Sequence, residues 1–305
     1  MKFDYRTVFL SDTHLGFPGV HAGELSAFLK HVECERLYLV GDVIDLLSLK
    51  SKWRWPAMHN QVVRRVLKLA KDGTAVVYVP GNHDDGLRDY AGLDLGGVRI
   101  AKRAAHRLAD GRTFLVTHGD EYDLVVQHSP LLSTLGTWAY DHLVLINRWL
   151  NAARGLFGLK PWRLSQIVKS KVKSACTFVS NFEQALLGEA ARRGFDGVVC
   201  GHIHEPAIRQ VPTPEGEKWY ANCGDWIERA TALVEHHDGR LEIVQVDQLL
   251  AAHGVEIKRL GDEPDPLDIA AARPGGARDE PRDDPDAIFG LPGDFSFGQP
   301  AKAAI

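Results

Sequence analysis

The chain has 305 residues, 45% of them hydrophobic and 25% charged, with a net charge of −4, a length and composition that fit a globular protein of about two domains. A pI of about 6.4 argues against a nucleic-acid partner held by overall charge. Residues 1–10 lack the apolar core of a secretory leader, no run approaches the ~18 apolar residues of a spanning helix, and Cys34, Cys176, Cys200 and Cys223 form no CxxC pair, so a cytoplasmic protein without a disulfide framework or cysteine zinc site is expected.

Short apolar runs bounded by Gly, Pro, Asp or Asn predict buried strands at residues 7–10, 36–40, 75–79, 113–117 and 196–200. A helix is predicted at 23–31. A clearer one is predicted at 60–71, where Val62, Val63, Val66, Leu67 and Ala70 face away from Arg64, Arg65, Lys68 and Lys71, before Gly73 ends it. This alternation implies an α/β core, to which 218–221, 231–235 and 241–246 would add antiparallel edge strands. The expected organisation is a core of residues 1–121 and 196–260, a helical insertion at 122–195 and a Pro-rich acidic tail at 261–305. The tail holds 10 acidic against 4 basic residues and is expected to be disordered. Within the insertion, residues 142–182 carry seven basic side chains and no acidic one, among many aromatic and aliphatic residues.

Each of the five predicted core strands runs into a polar motif. These are Asp12-Thr13-His14, Gly41-Asp42, Gly81-Asn82-His83-Asp84, His118-Gly119 and Gly201-His202-Ile203-His204. Sites in open α/β sheets form beyond the carboxyl ends of strands, so residues as far apart in sequence as Asp12 and His204 can meet. Asp12, His14, Asp42, Asn82, His118, His202 and His204 make a mixed nitrogen and oxygen set without thiolate, which suits Mn, Fe, Zn or Co. Seven donors are too many for one ion. They suit two ions sharing a carboxylate, a device for displacement at phosphorus. Any one motif alone is ordinary turn chemistry; five in order, each at a strand end, are not.

These motifs, in this order over residues 7–205, resemble the calcineurin-like metallophosphoesterase superfamily. The resemblance implies a four-layer α/β/β/α metallophosphoesterase sandwich with a helical lid insertion. It also implies a hydrolase of phosphoester or pyrophosphate bonds using two divalent ions, Mn2+ first, with Fe2+, Zn2+ or Co2+ as alternatives. By the same resemblance Asp12, His14 and His204 would hold one ion, Asn82, His118 and His202 the other, and Asp42 would bridge. His83 would stabilise or protonate the departing oxygen, and Asp84 would orient His83; a helix N-terminal carboxylate is the other account of Asp84.

The layout also resembles the UDP-2,3-diacylglucosamine diphosphatase family of lipid A synthesis. It shares the helical insertion between His118-Gly119-Asp120 and the GHxH motif, and the Gly224-Asp225-Trp226 turn. In that family the insertion is a lid over acyl chains, which implies a nucleotide-linked lipid substrate and release of UMP. His83 departs from it, since that family typically has arginine there. The departure leaves a phosphomonoester or phosphodiester of another substrate as the alternative. A scaffold without catalysis is disfavoured by the complete donor set.

Read directly, the basic insertion suits a phosphorylated amphiphile and an inner-membrane surface rather than nucleic acid. Arg163, Lys169 and Lys173 are the candidate substrate contacts, the two lysines sharing a helical face. A hairpin buried against the core or in a dimer is the competing account. Asn222 and Asp225 lie in a turn that is either plain hairpin or site-facing.

Overall fold

The apolar runs become strands. β1 (Phe3–Leu10), β2 (Val32–Val40) and β3 (Ala75–Val79) run parallel in register. With β4 (Asp94–Leu95), β5 (Val98–Ile100), β11 (Thr231–Glu235) and β12 (Leu241–Gln245) they form a seven-stranded sheet in the order β12-β11-β1-β2-β3-β5-β4. A five-stranded sheet has the order β6-β7-β8-β10-β9 and contains β6 (Ala104–Arg107), β7 (Thr113–Val116), β8 (Gly197–Cys200), β9 (Ala207–Thr213) and β10 (Gly216–Asn222). The helices are α1 (Ala22–His31), α2 (Leu46–Ser51), α3 (Ala57–Lys71), α4 (Ser165–Arg192) and α5 (Val246–Ala252). The computed structural model describes residues 2–51, 55–122 and 165–257, with backbone alone over 165–178. Of the two compact units into which the chain divides, Met1–Asp265 holds everything described.

The central strands read as unbroken apolar runs because both of their faces are covered. Val8 and Leu10 of β1, with Leu37 and Leu39 of β2, point into a core shared with α1, α3 and α5. Their alternates Phe9, Tyr38 and Val40 point the other way, against Phe114, Val116 and Val199 of the second sheet. A third core joins Leu115, Val198, Cys200 and Tyr220 of that sheet to Phe182, Leu186, Leu187 and Ala190 of α4. Three cores separate four layers, so the α/β/β/α order expected from sequence is the one observed. Each fully buried Leu or Phe contributes about 1.5–3 kcal/mol relative to exposure, and all three cores contain such residues.

Residues 182–190, inside the span expected as the insertion, form the outer helical layer against the five-stranded sheet. Phe182, Leu186, Leu187 and Ala190 recur at helical spacing and are all buried on the five-stranded sheet. Residues 218–221 were expected at an antiparallel edge. In the structure β10 lies parallel to β8 and inside the sheet, because β9 passes outside it and returns through a hairpin at Gly216. Similarly, β11 sits between β12 and β1, leaving only β12 of the three predicted strands at an edge.

β1, β2 and β3 are mutually parallel in one sheet, as are β7, β8 and β10 in the other, so their carboxyl ends gather. Backbone bonds then stitch the loops that follow them. Asp12 N–H donates to Gly41 O (3.1 Å), His14 N–H to Asp42 O (2.8 Å) and Gly201 N–H to His118 O (3.1 Å).

Candidate metal centre

The chain turns abruptly as it leaves each strand. Among the described residues six non-glycine positions have positive φ, and five of them are Asp12 (54°), His14 (42°), Asp42 (51°), His202 (71°) and His204 (57°). Side chains resist this region, and its concentration at one site is a mark of function. Gly41 meets two demands at once. Its φ is +79°, and a Cβ there would run into the His118 ring.

These turns assemble two donor groups. Asp12, His14 and His204 each offer one atom, all within 4.8 Å of one another, and Asp42, His118 and His202 do the same. His204 Nε2 lies 3.1 Å from Asp12 Oδ1, and His14 Nε2 lies 3.8 Å from that oxygen. Asp42 faces both groups through one atom, with its Oδ2 3.3 Å from His118 Nε2 and 4.0 Å from His14 Nε2. Its Oδ1 accepts the His83 backbone N–H at 2.8 Å.

Second contacts fix the orientation of these side chains. His118 Nδ1 bonds Val40 O at 3.0 Å, leaving Nε2 toward the centre. Asp12 Oδ2 accepts Ser11 Oγ–H and, at 3.1 Å, the His202 N–H, leaving Oδ1 toward the centre.

Asp12 Oδ1, His14 Nε2, Asn82 Oδ1 and His118 Nε2 are buried without a hydrogen bond among the described residues. Buried polar atoms left this way are costly unless a shared proton or a cation engages them. All four belong to residues that the seven-residue reading assigns to the ions, so the residues present fit two divalent cations.

Asp45 was not among the expected site residues. It is buried, with Oδ2 3.4 Å from His14 Nδ1 and Oδ1 3.1 Å from His83 Nδ1. It also accepts the Ser48 N–H at 2.7 Å at the start of α2. In sequence it therefore reads as a helix cap, which hides its contact with two imidazoles.

Asp84 needs the opposite correction. It does not orient His83, because its oxygens are taken elsewhere. Oδ1 accepts the N–H of Gly81 (2.6 Å) and Asp42 (3.3 Å), while Oδ2 accepts Tyr78 O–H (2.5 Å) and the N–H of Val43 (2.8 Å) and Ile44 (3.3 Å). Nor does its side chain cap the 3-10 turn Asp85–Tyr90 that it precedes. Five donors make it a staple between the loops after β2 and β3.

Asn222 serves the turn, and Asp225 does so through one of its two oxygens. Asn222 Nδ2 donates to Gly201 O (2.8 Å) and Tyr220 Oη (3.1 Å), while its Oδ1 accepts the Gly224 N–H (2.9 Å). Asp225 Oδ1 accepts the N–H of Ile227 and Glu228, and the Trp226 N–H reaches Asp12 O at 3.1 Å. The turn thus grips the backbones of two motifs without supplying a donor to either group. Arg163 lies outside the described residues, as do the side chains of Lys169 and Lys173 on α4.

Burial alone would raise the Asp12 and Asp42 carboxyls, but the facing histidines outweigh it. Asp12 falls to about 2, and Asp42 falls below the usual carboxylate range under the influence of His118. The imidazoles respond in reverse. Burial lowers His204, yet Asp12 raises it to about 9, and Asp42 holds His118 well above its ordinary value. At neutral pH the cation-free pocket therefore keeps protons where cations would sit, and loading must expel them. Titrating Mn2+ into metal-free protein at about pH 7 should release protons, read from how the binding heat varies with buffer ionisation enthalpy. Affinity should rise between about pH 6 and about pH 9, by about tenfold per unit for each proton displaced. A pH-independent affinity with no proton release would contradict this electrostatic picture.

A family model for the calcineurin-like phosphoesterases matches residues 5–206. The UDP-2,3-diacylglucosamine hydrolase of Vibrio cholerae is 24% identical over 242 residues, 75% of this chain and 93% of the relative. The protein of the same name from Pectobacterium carotovorum is 27% identical over 243 residues, covering 74% and 93%. Among solved structures, a dimetal phosphatase from Danio rerio matches at 15% identity with a TM-score of 0.36, covering 79% of this chain and 98% of that one.

Proposed function

Because the chain belongs to the calcineurin-like phosphoesterase family and is thus a metal-dependent phosphoester-cleaving hydrolase, we propose that it cleaves the pyrophosphate of a nucleotide-linked acylated sugar such as UDP-diacylglucosamine, releasing UMP. The observation that carries the chemistry is Asp42 Oδ2 facing both donor groups. The substrate reading is supported by relatives named for that activity, each matched over 93% of its own length.

Asp12, His14, His204 and Asp42 would hold one ion, and Asn82, His118, His202 and Asp42 the other. Two bound ions supply a nucleophile at neutral pH and charge to offset that building on the phosphoryl oxygens. The chain supplies the rest. His118 and Asp12 are locked in orientation by Val40 O and by Ser11 with the His202 N–H. His83 is the acid: Asp45 engages its Nδ1, which leaves Nε2 to pass a proton to the oxygen that leaves phosphorus. Burial lowers the His83 pKa, but the Asp45 contact together with the charges of Asp42, Asp45 and Asp12 outweighs it, so the pKa is raised and that proton stays in place to higher pH.

On this reading Mn2+ is the ion, residues 122–195 up to the packed part of α4 form the lid, and Arg163, Lys169 and Lys173 meet substrate phosphates. The protein would work at the cytoplasmic membrane face, where the seven basic residues of 142–182 suit anionic lipid.

A second reading is favoured by His83 itself. An imidazole braced by a carboxylate suits a leaving oxygen that must be protonated, as in a phosphomonoester or diester of a simple alcohol. Incubation with Mn2+ and a UDP-linked diacylated glucosamine, with chromatographic detection of UMP, separates the two. UMP release faster than hydrolysis of soluble aryl and alkyl phosphates is the expected result. Robust turnover of the soluble esters with none of the lipid would replace the first reading with the second.

A further inference from the structure

The layer between the seven-stranded sheet and helices α1 and α3 is not filled. A cavity of about 170 Å³ lies within it. Its lining includes Thr13, Val43 and Ile44, the sequence neighbours of Asp12, His14 and Asp42, and extends to Leu67 of α3 and Leu95 of β4. Among the described lining residues only Thr13 and Tyr78 carry a side-chain oxygen, and both are engaged. Thr13 Oγ1 donates to Val43 O (2.9 Å), and Tyr78 Oη donates to Asp84. Water inside would find no free side-chain partner, and an apolar space of this kind stays dry and takes apolar guests.

The cavity has a mouth. Leu67 is 41% exposed and Leu95 is 54% exposed, although both line the space. Such large apolar side chains at a rim give a hydrocarbon a path in. Leu67 is exposed at the border of the apolar face of α3, where Arg64 and Lys71, three before and four after it, are also exposed. The entrance is thus apolar at its lip, with Arg64 and Lys71 on its α3 side and the exposed Asp94 next to Leu95 on its β4 side.

We propose that this cavity binds the terminal alkyl segment of a fatty carboxylate, with the anionic head held outside by Arg64 and Lys71. A cavity of 150 Å³ accommodates benzene, so this one takes a chain end about six carbons deep. The site lies on the helix-covered face of the sheet and is independent of which phosphoester is cleaved.

The test uses the full chain and decanoate below its micellar concentration, followed by calorimetry and thermal denaturation. Decanoate should bind saturably, raise Tm and show the negative heat-capacity change of apolar burial. Decyltrimethylammonium should bind at least tenfold more weakly, because its head meets like charge. Val63→Phe fills the cavity from α3 and should weaken decanoate binding more than tenfold, with metal content and hydrolysis of a soluble ester unchanged. Leu95→Glu, at an exposed position, should block the mouth and weaken binding similarly even if the Val63 variant folds poorly. No saturable decanoate binding, or binding that survives both substitutions, overturns the site. Equal affinity for the cationic amphiphile overturns the assignment of an anionic ligand.

Discussion

Asp42→Ala should reduce turnover by at least about 10³-fold, the scale of losing a preorganised electrostatic contact at a reacting phosphoryl group, and should lower the bound metal measured by mass spectrometry. The reasoning is geometric. Asp42 Oδ2 is the atom that faces His118 Nε2 at 3.3 Å and His14 Nε2 at 4.0 Å, so both donor groups lose a ligand together. Its other oxygen accepts the His83 N–H, so the same substitution also frees the loop that carries the proposed acid. Asp42→Asn separates these roles. The amide oxygen can still accept from His83, but the shared negative charge is gone. That variant should keep the wild-type fold and still fail to bind a full complement of Mn2+. Near-normal turnover with two ions in Asp42→Ala would remove the bridging role.

His83→Ala should lower kcat by about 10²–10⁴, the usual worth of a positioned general acid, while metal content stays at the wild-type level. The defect should shrink for p-nitrophenyl esters, whose leaving oxygen departs without a proton. The pH profile carries the sign. An acid must be protonated, so turnover should fall as pH rises through the His83 pKa, and the alanine variant should lack that descending limb. The His83 pKa is raised, with the Asp45 bond the largest influence opposing burial. Asp45→Asn should therefore move the descending limb to lower pH. A His83→Ala protein stripped of metal would show that the imidazole holds an ion instead.

Much of the site was legible because the chain places its chemistry at strand ends. Asp12, Asp42, Asn82, His118, His202 and His204 each follow a short apolar run that could only be a buried strand. Parallel strands then deliver them to one side. Asp45 was illegible because its local pattern is that of a helix cap, and its contact with His83 spans 38 positions of sequence. Asp84 was misread because adjacency says little about direction in a tight turn. The side chain next to His83 points away to Tyr78 and the loop after β2.

The fold shows the same division. Strands covered on both faces announce themselves, whereas β4 is exposed, β9 is at most half-buried, and neither carries a clear apolar pattern. The pairing of β10 beside β8 depends on the route of β9, which local composition does not encode. The packed half of α4 was grouped with the preceding helical patterns because an amphipathic stripe does not say which surface it covers.

The two donor groups straddle the seam between the sheets. Asp12, His14 and Asp42 follow strands of the seven-stranded sheet, whereas His118, His202 and His204 follow strands of the other. Neither sheet owns a complete set. The centre therefore gauges how the two halves of the sandwich are aligned, and a slide of one past the other by an ångström would dismantle both groups at once. Ions held there would act as rivets as well as reagents, since the residues that would hold each one come from both sheets.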